Sequence, residues 1–458
     1  MKEVIQKDEH YKVEICDLGE GGEGIGKIQD FTVFIPNALI GDLVEIKLTK
    51  LKKNYGFGEI VRMITPSSER VKSGCEKEAA CGGCQFQALR YEKQLEWKQN
   101  KVKNCLTRIG KLTDIKVEPT LGMKEPYHYR NKAQYPVRKV NGQVEIGFFA
   151  PKSRKVVPID HCPIQHPMNA EIIKLVKAFL IENEISIYDD ETHKGLVRHL
   201  MIRTGYHAKE IMVCLVINGK TLPHSEKLIE KLKEIPEITS VILNHHTQNT
   251  PVILGERCTV LYGTEEITEQ IGKLKFKLSP LAFFQVNPTQ TEVLYQKTLE
   301  FTNLTGSETV WDAYCGIGTI SLFLAQKAKK VYGVEIIPEA IENAKENAKL
   351  NGIFNTEFYA GKAEEIIPKL YKQGIVADTI VVDPPRKGCD EKLLETLKDM
   401  APNKIVYVSC DPATLARDIA YLTNAAEYKV EKVQPVDMFP NTSHVESVTL
   451  MSRVNPDK

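Results

Sequence analysis

Residues 310–319 read Val310-Trp311-Asp312-Ala313-Tyr314-Cys315-Gly316-Ile317-Gly318-Thr319. An apolar run ends in an acidic residue and passes into a glycine-rich turn, and the apolar residues beyond it predict a helix over 320–326. Glycine has no Cβ, so two of them in one turn let a ligand come close to the backbone. The next apolar run, Lys330-Val331-Tyr332-Gly333-Val334-Glu335, ends in a carboxylate 23 residues after Asp312. That is near the roughly 20-residue interval at which an acidic side chain meets ribose hydroxyls in dinucleotide folds. The third glycine of the dinucleotide fingerprint is absent, which argues against a nicotinamide cofactor. Further along, Pro338 and Asn351-Gly352 bracket an amphipathic helix. Strands are predicted at 357–360, 378–383, 404–408, 430–436 and 445–451, with crossover helices between most of them. This alternation predicts an α/β fold, an open parallel sheet with helices layered on it.

Two loops at the carboxyl ends of these strands carry chemistry, because ligands of such sheets bind there. One is Asp383-Pro384-Pro385-Arg386-Lys387-Gly388, stiffened by its paired prolines. The other is Ser409-Cys410-Asp411-Pro412, where a thiol sits at the start of a helix. Asp411 suits the N-cap and Pro412 the first helical position, so the dipole predicts a Cys410 biased toward thiolate, partly opposed by the charge of Asp411. A structural cysteine is the ordinary reading of a lone thiol. Cys389, six residues after Asp383, is a rival nucleophile whose loop offers no helix start. Glu446, in His444-Val445-Glu446-Ser447-Val448, stands on an alternating strand where a glutamate is ordinarily a solvated edge residue.

Asp-x-Tyr-Cys-Gly-x-Gly-Thr at 312–319 resembles the first motif of S-adenosylmethionine-dependent methyltransferases. With Ser-Pro-Leu-Ala-Phe-Phe-Gln-Val-Asn-Pro at 279–288, Asp-Pro-Pro-Arg-Lys-Gly at 383–388, Ser-Cys-Asp-Pro-x-Thr-Leu-Ala-Arg-Asp at 409–418 and His-Val-Glu at 444–446, it resembles the RNA uridine C5-methyltransferase family, TRAM-bearing 23S ribosomal RNA enzymes foremost. The resemblance implies a Rossmann-like methyltransferase domain in which Cys410 is the nucleophile and Glu446 the proton acceptor. It implies that Gln285, Tyr314, Glu335 and Asp383 line the S-adenosylmethionine site. Thr319 stands where some relatives have Asn, and Lys362 falls near another polar cofactor contact. Uracil C5 is too weak a nucleophile to attack a sulfonium methyl group unaided, so thiolate addition at C6 is the expected activation. A cytosine C5 enzyme would use the same addition, but those usually carry Pro-Cys, and here Ser409 precedes Cys410. A tRNA uridine C5-methyltransferase of the same family is one alternative, and a noncatalytic iron–sulfur RNA-binding or redox-sensing protein is the alternative from another class.

Cys75, Cys81 and Cys84, the last two separated by Gly82-Gly83, crowd one segment, and Cys162-Pro163 lies far downstream. The asymmetric spacing and the final Cys-Pro fit iron–sulfur ligation better than a zinc ribbon, zinc remaining the alternative. The resemblance implies a [4Fe–4S] cluster on these four cysteines.

With 458 residues, about three domains of ~150 residues are expected. The predicted division is a TRAM or OB-like β-barrel over 1–66, an α+β central iron–sulfur domain over 75–92 and 126–265, and a catalytic domain over 93–125 and 266–458. In the barrel, Ile46, Leu48 and Leu51 alternate with Lys47, Lys50 and Lys52, followed by Tyr55 and Phe57, a pairing of basic and aromatic residues that suits RNA. Net charge is only +1, but residues 90–160 hold 16 Lys and Arg against 7 Asp and Glu, which fits a basic face for phosphates. A helix over 89–110 would put Leu95, Val102, Leu106 and Ile109 on one side and lysines including Lys98 elsewhere. Neither a leader in residues 1–12 nor an apolar run beyond 211–217 is evident, and the 11 cysteines are an odd number, so a cytoplasmic monomer with an RNA partner and no membrane is expected.

Overall fold

The structure, a computed structural model, describes residues 5–425 and 427–454. Residues 1–4, where the leader-free N-terminal reading begins, lie outside the described residues. The described residues form two compact units, one within residues 1–97, 150–154 and 439–443, the other within residues 98–149, 155–438 and 444–458.

In the smaller unit, β1 (His10–Leu18), β2 (Gly24–Ile28), β3 (Phe31–Ile35), β4 (Leu43–Leu51) and β5 (Tyr55–Thr65) close into a barrel in the order β1-β2-β3-β5-β4. Period-two alternation sends Val13, Ile15, Val33, Ile35, Val44, Ile46 and Leu48 inward as its core. Leu51, expected beside Ile46 and Leu48, is 41% exposed instead. The register of β4 against β5 slips between Leu48 and Lys50, and a one-residue slip sends the following side chains to the opposite face. A single helical turn, α1 (Glu78–Cys81), ends on Gly82 at φ 64°.

Helix α2 (Tyr91–Arg108) is shorter than the predicted 89–110. Val102 and Leu106 are buried as expected, but Ile109, beyond the helix end, is 48% exposed. Lys98, read as part of the polar face, is fully buried, with Nζ 2.5 Å from Asp437 Oδ1. The ion pair offsets the desolvation that holds this ammonium below its ordinary pKa.

In the larger unit, β6 (Lys132–Val140), β7 (Gln143–Phe149), β8 (Val156–Pro158), β9 (Val197–Gly205), β10 (Glu210–Ile217), β11 (Ile238–His245) and β12 (Arg257–Gly263) form a seven-stranded sheet. The pair β10 and β11 is parallel and its other pairs are antiparallel. Helices α3 (Met168–Glu182) and α4 (Ser225–Leu232) share its core. The apolar run 211–217 is a strand of this core, buried throughout. A hairpin of β13 (Ile267–Ile271) and β14 (Leu274–Leu278) follows.

The second seven-stranded sheet holds β15 (Thr309–Ala313), β16 (Lys330–Glu335), β17 (Thr356–Ala360), β18 (Thr379–Val382), β19 (Lys404–Ser409), β20 (Tyr428–Val436) and β21 (Glu446–Arg453), in the order β17-β16-β15-β18-β19-β21-β20. It is not wholly parallel as predicted: β21 enters between β19 and β20 and runs antiparallel to both. Helices α5 (Pro288–Thr302), α6 (Thr319–Ala325), α7 (Pro338–Leu350), α8 (Ala363–Lys372), α9 (Glu391–Met400) and α10 (Pro412–Ala425) connect or flank these strands. Strand order reverses at β15, between β16 and β18, and ligands of such sheets bind at the carboxyl ends beside that switch point. Among the described residues no helix is long and apolar enough to cross a membrane.

Candidate active site

The turn after β15 is built for close approach. Tyr314, Gly316 and Gly318 have φ of 71°, 54° and 82°, and a Cβ placed on Gly316 would meet nothing within 4 Å, so its backbone faces open space. At the end of β16, the Glu335 carboxylate accepts hydrogen bonds from the backbone N–H of Gly316 (3.2 Å) and of Ile337 (3.0 Å), which tie the two strand ends together. Asp312 is buried; Oδ2 accepts from the Ser321 hydroxyl at 2.5 Å while Oδ1 has no partner. Burial pushes its carboxyl up to about 7, with the nearby Asp383 and Glu335 adding to the rise.

Gln285 lies in the loop before α5. Asn131 donates from Nδ2 to the Gln285 carbonyl (3.1 Å) and from its backbone N–H to the Val286 carbonyl (2.8 Å). The Arg203 guanidinium holds the same loop through the carbonyls of Ser279 (3.1 Å) and Ala282 (2.6 Å). Nothing local in the sequence marks Asn131 or Arg203, since both arrive from the other sheet's strand neighbourhood.

Cys410 and Glu446 are brought together by register. The antiparallel ladder of β19 and β21 pairs Ser409 with Ser447, so the next position along both strands sets Cys410 opposite Glu446. Glu446 is not the solvated edge residue that alternation suggests: β21 lies inside the sheet, Glu446 is 3% exposed, and its Oε2 has no partner. Burial, and after it the neighbouring Asp383, push its carboxyl up to about 8, with Arg386 opposing. Asp383, half-buried by exposure, is pushed up to about 7 by desolvation.

The same surroundings correct the expected thiolate. Asp411 does cap α10, accepting from the N–H groups of Ala413 (2.8 Å) and Thr414 (3.1 Å). Yet burial first, then the carboxylates of Glu446 and Asp383, push the Cys410 thiol up to about 12, and Arg386 offsets only part of this. Desolvation and two nearby acids outweigh one helix start. Cys389 is apart from this group: its N–H donates to Asp418 Oδ2 (2.8 Å), its thiol faces the Tyr407 hydroxyl at 3.7 Å, and burial drives its pKa well up. The Tyr314 hydroxyl, itself raised by burial, is near Cys389 and Glu364. Thr319 Oγ1 is 3.0 Å from the Tyr295 hydroxyl, and Lys362 pairs with Glu365 at 3.2 Å.

An open glycine turn, a strand-end carboxylate with fixed geometry and buried acids with a carboxyl oxygen left unpartnered at a switch point fit a cationic nucleoside cofactor such as S-adenosylmethionine. The expected metal centre does not fit in the same way. Among the described residues no three His, Cys, Asp or Glu side chains are placed to hold a metal ion. Burial, and after it the nearby Cys75, raise the Cys81 thiol.

Residues 90–454 match the family described as tRNA (Uracil-5-)-methyltransferase, and residues 7–61 match the TRAM domain. An RNA methyltransferase of Clostridium tetani is 52% identical over 449 residues, 98% of this chain and 97% of that protein. One of Halalkalibacterium halodurans is 50% identical, covering 98% of both. The Pyrococcus abyssi tRNA (uracil-54, C5)-methyltransferase, solved with S-adenosyl-L-homocysteine, superposes with a TM-score of 0.77 at 28% identity, over 96% of this chain and 100% of that one. The chain, with its strand-end acids and glycine turn at the switch point, belongs to the S-adenosylmethionine-dependent RNA uracil-5-methyltransferase family and carries an N-terminal TRAM domain.

Proposed function

We propose that this protein methylates C5 of specific uridines in 23S ribosomal RNA through a transient bond between Cys410 and uracil C6. The observation that carries the reading is the convergence of Cys410, Glu446 and Asp383 at the carboxyl ends of the sheet, set by the ladder register of β19 and β21. S-adenosylmethionine supplies the methyl group, in a site lined by Gln285, Tyr314, Glu335 and Asp383. Cys410 gives its proton to solvent and the sulfur bonds to C6 as the C5–C6 π bond opens, its electron pair moving to C5. Arg386, whose charge opposes the carboxylates of Glu446 and Asp383, favours the thiolate. After methyl transfer the C5 proton passes to Glu446 in its ionised form, a carboxylate that its raised pKa near 8 makes a stronger base than an ordinary one. The C–S bond then breaks and its electron pair returns to sulfur. Target uridines must be splayed or flipped for a buried sulfur to reach C6.

Incubation with RNA and S-adenosylmethionine is expected to give a denaturation-resistant protein–RNA adduct that accumulates in Glu446→Ala and is absent in Cys410→Ala. An adduct formed by the Cys410 variant would refute the assignment.

A tRNA target is the second reading, favoured by the likeness to the Pyrococcus abyssi enzyme. Nucleoside mass spectrometry of 23S rRNA and tRNA from cells lacking the protein separates the two, and loss of 5-methyluridine from tRNA alone would overturn the ribosomal choice. Cytoplasmic location, a monomeric state and the three-domain division belong to the same proposal. Iron binding by Cys75, Cys81, Cys84 and Cys162 is a separate proposal resting on the resemblance and on the nearness of Cys75 to Cys81. Anaerobically purified protein containing iron and sulfide, both lost in Cys81→Ser, would support it; metal-free protein of full activity would remove it.

A further inference from the structure

The motif at 409–418 ends in Arg417-Asp418, two residues to which the addition chemistry gives no part. Asp418, on α10, is fully buried, and its carboxylate gathers groups from a loop, a strand and its own helix. Oδ2 accepts from the backbone N–H of Cys389 (2.8 Å), in the loop after β18, and from the hydroxyl of Tyr407 (2.7 Å), on β19. Oδ1 accepts from Arg417 Nε (2.8 Å) and lies 2.7 Å from Arg417 Nη2, which donates onward to the Lys387 carbonyl (2.9 Å). Hydrogen bonds to a charged group are roughly twice as strong as neutral ones, and removing a buried acceptor leaves its donors unpaired.

These grips fall on one turn. The Gly388 N–H donates to the Pro385 carbonyl (2.8 Å), closing a β-turn with Arg386 and Lys387 at its centre. Arg417 takes the carbonyl of Lys387 within the turn, and Asp418 takes the N–H of Cys389 just past it. Gly388 lies against both, since a Cβ there would come within 2.4 Å of Arg417 Nη2 and 2.6 Å of Asp418 Oδ2. At the other end, Tyr407 ties the same carboxylate to β19 three residues before Cys410. Arg386, on the held turn, is the cation that acts on both Cys410 and Glu446. Coulomb attraction falls with distance, so a turn free to move would weaken that action.

We infer that Asp418, with Arg417, is a positioning residue that fixes the Arg386 turn against β19 and α10, so that the guanidinium acts on Cys410. This role rests on the proposed nucleophile and adds the residues that aim its cation.

The test is peptide-resolved alkylation of Cys410 by iodoacetamide at pH 8, on the full-length protein without RNA. Arg386→Ala is expected to slow it by about threefold or more, because the thiolate loses its nearby cation. Asp418→Asn, similar in shape but without the charge, should slow it by a similar factor, and should add no further slowing in the Arg386→Ala background. That non-additivity is the mark of one residue acting through another. Calorimetric affinity for S-adenosyl-L-homocysteine should stay close to wild type in Asp418→Asn, whereas a general loss of structure would take it away. If Asp418→Asn fails to fold, Arg417→Gln decides: its side chain is 53% exposed, the substitution removes the grip on Lys387, and the same slowing, absent without Arg386, is expected. Unchanged alkylation in the folded variants, or equal slowing with and without Arg386, would overturn the role. The RNA adduct of the wild-type protein reports separately on Cys410 as nucleophile.

Discussion

Glu446 and Cys410 show how a residue's chemistry follows from its solvent rather than from its neighbours in sequence. The folded state holds the acids of the Asp383–Glu446 group above the ordinary carboxylate range, to about 7 and about 8. A group with a raised folded pKa contributes stability that is fully present at pH below its unfolded pKa and is lost as pH climbs through the folded value. Glu446→Gln, which keeps the shape without the charge, should therefore gain stability relative to wild type between about pH 5 and pH 8, by no more than about 1.4 kcal/mol per pH unit, the limit for one proton. Thermal denaturation across that range checks it, and a constant difference would refute the raised acid. The thiol behaves in the same sense. Because it is held near 12 rather than lowered, peptide-resolved alkylation of Cys410 by iodoacetamide in the free protein should keep accelerating above pH 9 without a plateau. A plateau below pH 8 would restore the thiolate that the helix start alone predicts.

At the scale of the element, α10 and the β19–β21 ladder do the positioning. Asp411 satisfies two N–H groups at the start of α10, so Asp411→Ala should cost about 1 kcal/mol in denaturant unfolding, with Asp411→Asn close to wild type. Gly388 offers a second check on the loop between β18 and α9. It sits at φ 81°, and a Cβ there would lie 2.4 Å from the Arg417 guanidinium and 2.6 Å from Asp418 Oδ2. Gly388→Ala should therefore destabilise by roughly 1–3 kcal/mol through backbone strain and a disturbed Arg417–Asp418 pair, read as a lower denaturation midpoint.

For the whole molecule, the readout is linkage between cofactor and folding. If the carboxyl ends beside the switch point hold the cofactor, S-adenosyl-L-homocysteine at a hundredfold its Kd should stabilise the protein by about 2.7 kcal/mol, and Asp383→Ala should remove most of that gain in calorimetry. The sequence by itself determined the strand and helix alternation from Val310 to Met451, the cap at Asp411 and the loops that bear Cys410 and Asp383, because these depend on residues within a turn or two of one another. It also marked Tyr55 and Phe57 but missed Phe34, which joins them only through the parallel pairing of β3 with β5. Only the tertiary structure decided that Lys98 is buried against Asp437, that β21 runs antiparallel inside the sheet and sets Glu446 opposite Cys410, and that burial overrides the helix dipole at the thiol. Register and desolvation are set by elements far beyond a turn or two of one another in the chain, and no local pattern encodes how much water such a meeting removes.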